Sequence, residues 1–239
     1  MIELQDVSLS RGSTHVFDRL NFRVTERRLG LIGDNGAGKT SLLRLLCGLE
    51  QPTQGHVCID GLRIDAPRDA AGHVGVMFQN PDEQIVFPTV EEELSLGLRA
   101  RGMARQEARK RVHAQLAGRG LAHWAPRAVA SLSQGQRHFL CWLTLLTDSS
   151  RLLLLDEPFA SLDLPSRSLL EQEIRDAPQQ VVLSTHTLEQ VRSFERVIWL
   201  AQGAIHADGP GREVCEAYEA AFANGRTQGS RGHAQLRRR

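Results

Sequence analysis

The stretch LGLIGDNGAGKTSLLRLLCG, residues 29–48, combines three kinds of local structure in one run. Its first four residues predict a buried strand, and the leucines after residue 40 recur at helical spacing until Gly48. Between them, GDNGAGKT at 33–40 fits GxxxxGK[ST] in the strand-to-helix context that this pattern requires. In that context, backbone N–H groups curl around phosphate oxygens and the helix N-terminus adds a positive end. The stretch therefore predicts a phosphate-binding loop in an α/β fold, and a Gly-rich turn that caps a helix is the alternative.

The residues of this loop have expected contacts with a nucleoside triphosphate. Lys39 would reach the β- and γ-phosphates, and Thr40 would offer a hydroxyl to Mg²⁺. Lys39 is one of only two lysines in the chain, which favours a chemical requirement for it. The predicted nucleotide-binding residues of the loop are Gly33, Asp34, Asn35, Gly36, Ala37, Gly38, Lys39, Thr40 and Ser41.

A second candidate site follows the apolar run at 152–155, in the sequence LLLLDEP. Asp156 and Glu157 leave a buried strand, where carboxylates are costly unless cations accompany them. Asp156 would hold Mg²⁺, and Glu157 would polarise the attacking water. An acidic turn that ends a strand before Pro158 is the structural alternative. His186, at the end of VVLSTH, would lie close to the γ-phosphate, with a purely structural histidine as the alternative.

The segment LSQGQ at 132–136 has two compatible interpretations. Ser133 as N-cap and Gln136 three residues later predict a capping box for the following helix. The small Gly135 lets the same helix start present N–H donors to a γ-phosphate. We therefore expect Ser133, Gly135 and Gln136 to begin a helix and also to bind nucleotide.

Hydrophobic patterning predicts an α/β core that a helical segment interrupts. Between residues 83 and 147 the pattern is helical, whereas the flanking regions contain short apolar strands. The predicted strands lie at 2–8, 20–24, 29–32, 73–79, 152–155, 180–185 and 196–200, with a hairpin at 55–65 that turns at Asp60-Gly61. The predicted units are a core at about 1–82 and 151–215, a helical insert at about 83–150, a helical end at 216–223 and a basic disordered tail at 224–239.

Composition excludes several classes of protein. The longest uncharged apolar run is nine residues, Phe139–Thr147, and a membrane span needs about 18. The N-terminus carries acids where a signal peptide would be basic, so we expect a protein that stays in the cytoplasm. The formal net charge of the whole chain is +1, and the tail alone carries +5. The first 223 residues therefore carry −4, and this charge does not predict nucleic-acid binding. Four cysteines without a CxxC pair predict reduced thiols.

Together, these motifs resemble those of the ATP-binding subunits of ABC transporters, in family order over about residues 1–215. The resemblance implies a P-loop NTPase (RecA-like) core with an N-terminal antiparallel β subdomain and an inserted α-helical subdomain. It makes 132–136 the signature segment and SLD at 161–163 the D-loop, with Asp163 at the nucleotide. Gln79 becomes the Q-loop glutamine, with a role in catalysis and in binding Mg²⁺. His186 and Glu157 are the other implied catalytic residues.

The resemblance also implies that ATP is held between two copies of the chain. Each phosphate loop would face the other copy's signature segment, so a homodimer with two equivalent sites is the simplest assembly. Gln134 replaces the usual second glycine of the signature. Arg11 stands where the family has an aromatic residue under the adenine, and it predicts a guanidinium that stacks on the base. A solvent-facing turn arginine is the alternative, with Phe17 or His15 reaching the base.

A finer resemblance is carried by FQNPDEQ at 78–84 and by the following IVFPTV. These residues are similar to the ATPases of the energy-coupling factor class of vitamin and metal importers, and most similar to those for biotin. Cobalt, nickel or another vitamin are the alternative cargoes. The resemblance implies two membrane partners, a transmembrane coupling subunit and a substrate-binding subunit, and a peripheral position on the cytoplasmic face of the membrane. Residues 79–88 would contact the coupling subunit, and the cluster Ile85, Val86 and Phe87 is either ordinary core or part of that contact.

Two other functions compete with transport. A soluble ABC ATPase that acts on ribosomes or in DNA repair usually carries two cassettes or a long coiled-coil insertion, and 239 residues allow neither. A GTPase would need an NKxD-type motif to recognise the base, and neither Lys39 nor Lys110 lies in one. The sequence therefore favours a transport ATPase.

Overall fold

The computed structural model describes residues 1–147, 150–160 and 162–233, with side chains as far as residue 223. The strands are β1 (Ile2–Arg11), β2 (Thr14–Val24), β3 (Arg28–Ile32), β4 (Gln54–Ile59), β5 (Leu62–Arg63), β6 (Val74–Met77), β7 (Leu152–Asp156), β8 (Gln180–Ser184), β9 (Arg196–Ala201) and β10 (Ala204–Gly209). The α-helices are α1 (Lys39–Leu46), α2 (Pro67–Ala70), α3 (Val90–Ala100), α4 (Arg105–Ala117), α5 (Gln134–Thr147), α6 (Leu164–Asp176) and α7 (Gly211–His233). Short 3-10 turns lie at Pro81–Glu83, Ala122–Trp124, Val129–Ser131 and Leu188–Gln190.

The N-terminal strands form an antiparallel sheet in the order β2-β1-β4-β5. The predicted hairpin is present, with Asp60 and Gly61 between β4 and β5 at φ values of 51° and 80°. A two-residue hairpin turn with both φ values positive matches the right-handed twist of its strands, which explains the Asp-Gly pair.

The second sheet has the order β10-β9-β3-β8-β7-β6 and is parallel except for the edge strand β10. Strand β7 is buried along its whole length. Leu153 and Leu155 pack with the helical side of the core, whereas Leu152 and Leu154 pack with α1 and the antiparallel sheet. Burial on both faces explains why this strand reads as a continuous apolar run, as predicted.

Three helices of the predicted insert, α3, α4 and α5, pack on one another and on the helical side of the sheet. Glu93 in α3 is buried, and its carboxylate accepts hydrogen bonds from the backbone N–H groups of Val86 and Phe87, at 2.9 and 2.8 Å. A buried carboxylate needs such donors, so Glu93 fixes the loop that precedes α3. Residues 148 and 149, at the end of the predicted insert, lie outside the described residues.

The C-terminal segment differs from its prediction. Helix α7 contains the predicted helical end at 216–223, and its backbone continues to His233. Residues 224–233 are thus helical where the sequence predicted a disordered tail over 224–239, and 234–239 lie outside the described residues. An α-helix satisfies its backbone hydrogen-bonding groups internally, which allows α7 to continue into this segment.

Two composition-based expectations concern the membrane and the thiols. In the part of the chain that the structure describes, no helix is both long and apolar enough to cross a bilayer. The four cysteines are free thiols, as predicted, and three of them, Cys47, Cys141 and Cys215, are buried. Burial raises the pKa of the Cys141 thiol to about 12, so it stays protonated at neutral pH.

Candidate nucleotide-binding site

A cavity of about 800 Å³ opens beyond the carboxyl ends of the parallel strands. Strand β3 leads into the phosphate loop, β7 ends at the acidic pair and His186 follows β8. Gln79 follows β6 and also lines the cavity. Parallel strands present their carboxyl ends at one edge, which brings together residues that are far apart in sequence. All predicted residues of the phosphate loop line this cavity except Ala37, which is buried beneath it.

The phosphate loop is closed on itself by Lys39. This side chain is only 8% exposed, and its Nζ donates to the carbonyls of Gly33 at 2.6 Å and Asp34 at 3.2 Å. Gly33 and Gly38 have φ values of 142° and 105°, and a Cβ on either would lie within 3 Å of Leu200 backbone or of the Phe17 ring. Such positions require glycine, so the loop geometry depends on both residues.

Thr40 and Asp156 lie next to each other on the cavity wall. The Thr40 hydroxyl donates to Asp156 Oδ2 at 2.7 Å, and Asp156 is 6% exposed. A hydroxyl and a carboxylate, with the Gln79 amide on the same wall, make a set of hard oxygen donors of the kind that Mg²⁺ prefers. The residues present therefore fit the metal that the sequence predicted.

Glu157 and His186 form a contact pair on the other side of Asp156. His186 Nδ1 lies 2.9 Å from Glu157 Oε2, and the Thr185 hydroxyl lies 3.4 Å from the same oxygen. The Glu157 backbone has a φ of 49°, a left-handed conformation that is rare for residues other than glycine. Its N–H donates to the Ser184 carbonyl at 2.9 Å, which holds this strained backbone in place.

The signature segment forms the predicted capping box. The Gln136 N–H donates to Ser133 Oγ at 3.2 Å, and the Ser133 N–H donates to Gln136 Oε1 at 3.1 Å. A Cβ on Gly135 would lie 2.8 Å from Ser166 Oγ in α6, so this glycine allows the two helices to approach. Ser133, Gly135 and Gln136 are not among the described residues that line the cavity.

Asp163 is the N-cap of α6, where its carboxylate accepts a hydrogen bond from the Ser166 N–H at 2.9 Å. Hydrogen bonds from Ser166 hold the pKa of this carboxyl below its usual value. Asp163 is exposed and is not part of the described cavity wall. Ser161, the first residue of the predicted D-loop, lies outside the described residues.

His138 links the signature helix to the Q-loop. It is fully buried, with Nδ1 3.2 Å from the Gln134 carbonyl oxygen and Nε2 3.2 Å from that of Gln79. In the next residue, Arg137 pairs with Asp82 at 3.3 Å. Two adjacent side chains of α5 thus hold the segment that follows β6, and no motif in the sequence indicated this.

Arg11 lies on the cavity wall, near the start of α1. Its guanidinium donates to Ser41 Oγ at 3.0 Å and pairs with Glu50, while 48% of the side chain stays exposed. Phe17 is excluded as the base platform because it is 1% exposed and lies beneath Gly38. His15 is bonded to Ser10 Oγ at 2.9 Å and is not a described cavity residue.

Three cavity residues were not predicted from sequence. Thr14 and Val16 come from β2, and Tyr218 comes from α7. Tyr218 is the only tyrosine of the chain, and its hydroxyl donates to Asp34 Oδ1 at 2.8 Å. These residues belong to no local motif, so only the tertiary fold reveals them.

The comparisons with known proteins agree with this geometry. A family model described as ABC transporter matches residues 17–160. The biotin transport ATP-binding protein BioM of Rhodobacter capsulatus is 46% identical over 222 residues, 92% of this chain and 95% of that protein. BioM of Rhizobium etli is 35% identical over 217 residues, 91% of this chain and 97% of that protein.

Solved structures support the fold. The structure of cbiO1 from Clostridium perfringens, described as part of the ABC transporter complex cbiONQ, has a TM-score of 0.79 at 23% identity and covers 98% of each chain. A dimeric ATP-binding cassette in a post-hydrolysis state with ADP and Pi has a TM-score of 0.75 at 24% identity, over 88% of this chain and 98% of that one. The predicted RecA-like core with an antiparallel subdomain and a helical insert is confirmed. The chain belongs to the ABC transporter family and is one of its ATP-hydrolysing subunits.

Proposed function

We propose that this chain powers the uptake of biotin as the ATPase of an energy-coupling factor importer. The observation that carries the ATPase part of this proposal is a cavity that unites the phosphate loop, the acidic pair and Gln79, while the signature segment lies elsewhere on the same chain. Such a chain can bind ATP alone but needs a second copy to enclose it. ATP-driven closure of a homodimer would then move the membrane subunits.

Glu157 is the proposed general base. Its carboxylate is 15% exposed on the cavity wall, and contacts with His186 and Thr185 restrict its orientation. A carboxylate held in this way can accept a proton from a water that attacks the γ-phosphate. His186, whose side chain is 69% exposed, would contact the γ-phosphate from the open side of the site.

Mg²⁺ is the proposed metal cofactor, held by Thr40, Asp156 and Gln79. When bound, it supplies positive charge that offsets the charge of the phosphates. Lys39 adds a second positive charge from the loop itself, and among the described residues no carboxylate pairs with it. The lysine is therefore free to exchange its contacts with carbonyls for contacts with phosphate.

The second copy would complete each site with its signature segment. Ser133 is exposed, and the capping box fixes its hydroxyl at the start of α5. A helix start of this kind provides backbone N–H donors for an anion. Asp163, exposed at the start of α6, would lie at the same interface.

The membrane coupling subunit would bind beside the loop that Glu93 fixes. Val86 in this loop is 71% exposed. A neighbouring groove of about 520 Å³ has apolar residues on its walls together with charged ones: Phe87, Leu96, Met103, Glu91, Glu92, Arg99, Arg105 and Arg109. An exposed apolar residue beside a groove of mixed apolar and charged lining suits an amphipathic helix from a partner. This contact would hold the chain at the cytoplasmic face of the membrane, and the substrate-binding subunit would complete the importer.

The cargo is inferred from the relatives. Both BioM proteins match nearly the full length of this chain, and their names give biotin as the transported substrate. The chain itself need not contact the vitamin, since it acts through the membrane subunits. Cobalt, nickel and another vitamin are the competing cargoes.

Two experiments test this function. Purification of the tagged chain in detergent should recover membrane subunits by mass spectrometry, whereas recovery of ribosomal or DNA-repair proteins would contradict transport. Cells with Glu157→Gln in place of the native residue should lose accumulation of labelled biotin and keep that of labelled cobalt and nickel. Unchanged biotin uptake with lost metal uptake would overturn the choice of cargo.

A further inference from the structure

Tyr218 connects the C-terminal helix to the phosphate loop. It is 184 residues from Asp34 in sequence and lies outside the segment that the family model matches. Both side chains nevertheless line the nucleotide cavity, and the Tyr218 hydroxyl donates to Asp34 Oδ1 at 2.8 Å. Helix α7 therefore contributes directly to the site.

An aromatic cluster holds Tyr218 in this position. Its ring lies edge-on to Trp199 with the centroids 4.9 Å apart, and 4.7 Å from the ring of Phe222 one helical turn later. Trp199 belongs to β9, where it pairs with Ile32 of β3, the residue directly before the phosphate loop. The hydroxyl of Tyr218 is thus fixed relative to the strand that carries the loop.

Asp34 is an exposed carboxylate on the wall of the cavity that the phosphates of ATP would enter. It follows Gly33 in the loop, and Lys39 contacts its carbonyl but not its carboxylate. A carboxylate that turns toward a triphosphate repels it, because like charges at contact distance repel even where solvent partly screens them. The hydrogen bond from Tyr218 keeps this carboxylate against α7.

The Tyr218 hydroxyl remains a hydrogen-bond donor over the physiological pH range. Burial and the neighbouring Asp34 raise the pKa of Tyr218 to about 12. The phenol therefore keeps its proton and donates to Asp34 at any pH at which the chain would operate.

We propose that Tyr218 is a positioning residue for ATP binding, which restrains the Asp34 carboxylate through helix α7 and so prevents it from opposing the phosphates. This role goes beyond the transport function, since it requires only ATP binding at the phosphate loop and is independent of the cargo.

The test is a double-mutant cycle on the full chain. Tyr218→Phe removes the hydroxyl and keeps the ring, and Asp34→Asn removes the charge. ATP affinity is measured by calorimetry in a Glu157→Gln background, to limit hydrolysis. Tyr218→Phe should weaken ATP binding by about threefold to tenfold when Asp34 is present, and by less than about twofold when residue 34 is asparagine.

A matched control separates this role from a general effect of changing helix α7. Glu213→Gln changes an exposed side chain in the first turn of the same helix, with no described contact to Asp34 or to the aromatic cluster, so it should change ATP affinity by less than about twofold. Equal affinity of Tyr218→Phe and the parent protein would overturn the proposal. The same loss in both Asp34 backgrounds would also overturn it, because the effect would then not pass through the carboxylate.

Discussion

Around the phosphate loop, one chain brings most of the binding groups together. Lys39, Thr40, Asp156 and Glu157 share a single cavity wall, and each has a hydrogen-bond partner there. At the signature segment the opposite holds, because Ser133 is exposed and its described hydrogen bonds serve only to cap α5. In the proposed dimer, the phosphate loop supplies most of one site, and the signature segment supplies the rest of the site on the other copy.

The difference explains why both segments occur on one chain. A helix start that faces solvent gains nothing from donors aimed at an anion unless another molecule brings the anion. His138 and Arg137 also tie the signature helix to the segment after β6, where the membrane subunit is proposed to bind. We therefore expect the signature side to respond to partners and the loop side to hold nucleotide.

The largest expected effect is on the loop side, at the proposed base. Glu157→Gln should retain ATP binding and reduce phosphate release by about 10²- to 10⁴-fold, because general-base catalysis contributes on that order. Steady-state phosphate release and ATP titration measure the two quantities. Glu107→Gln, on the exposed surface of α4, is the matched control and should keep normal turnover. Near-normal phosphate release from Glu157→Gln would refute the assignment.

A smaller effect is expected on the signature side, at the cap of α5. Ser133→Ala removes the acceptor for the Gln136 N–H and should lower the free energy of unfolding by about 1 kcal/mol. Affinity of the isolated chain for ATP should stay the same, since Ser133 is outside the described cavity wall. Chemical denaturation and calorimetry separate these outcomes, with the exposed Ser168→Ala as control. Weaker ATP binding by the monomeric Ser133→Ala variant would contradict the claim that the signature segment does not bind ATP within its own chain.

The smallest expected effect concerns Arg11, at the proposed adenine end of the loop side. Cation–π stacking at a partly exposed site contributes about 0.5 to 1 kcal/mol, so Arg11→Ala should weaken ATP binding by about two- to fivefold. Arg11→Tyr should restore or improve binding, because a phenol ring offers a flat surface to the base. Calorimetry measures the ATP affinity of the parent protein, Arg11→Ala and Arg11→Tyr. Equal affinities would show that Arg11 serves only its contacts with Ser41 and Glu50.

The structural features that the sequence predicted are local ones, which residues close together in the chain determine. The strand, loop and helix around Lys39, the buried run before Asp156 and the capping box at Ser133 are local patterns, and the structure contains all three. Contacts between distant segments had no such signal, as the hydrogen bonds of Tyr218 and His138 show. Strand β10 was also not predicted, because it is an edge strand with alternating partial exposure whose position depends on pairing with β9.

The central claim is that ATP joins the two different halves through a second copy of the chain. Sedimentation velocity of the Glu157→Gln protein, with and without saturating ATP and Mg²⁺, tests this claim most directly. The account predicts a shift from monomer to dimer with ATP, and its loss in Glu157→Gln with Ser133→Arg, whose bulky charged side chain would block the signature face. A protein that stays monomeric at saturating ATP, or a Ser133→Arg variant that dimerises equally well, would contradict it.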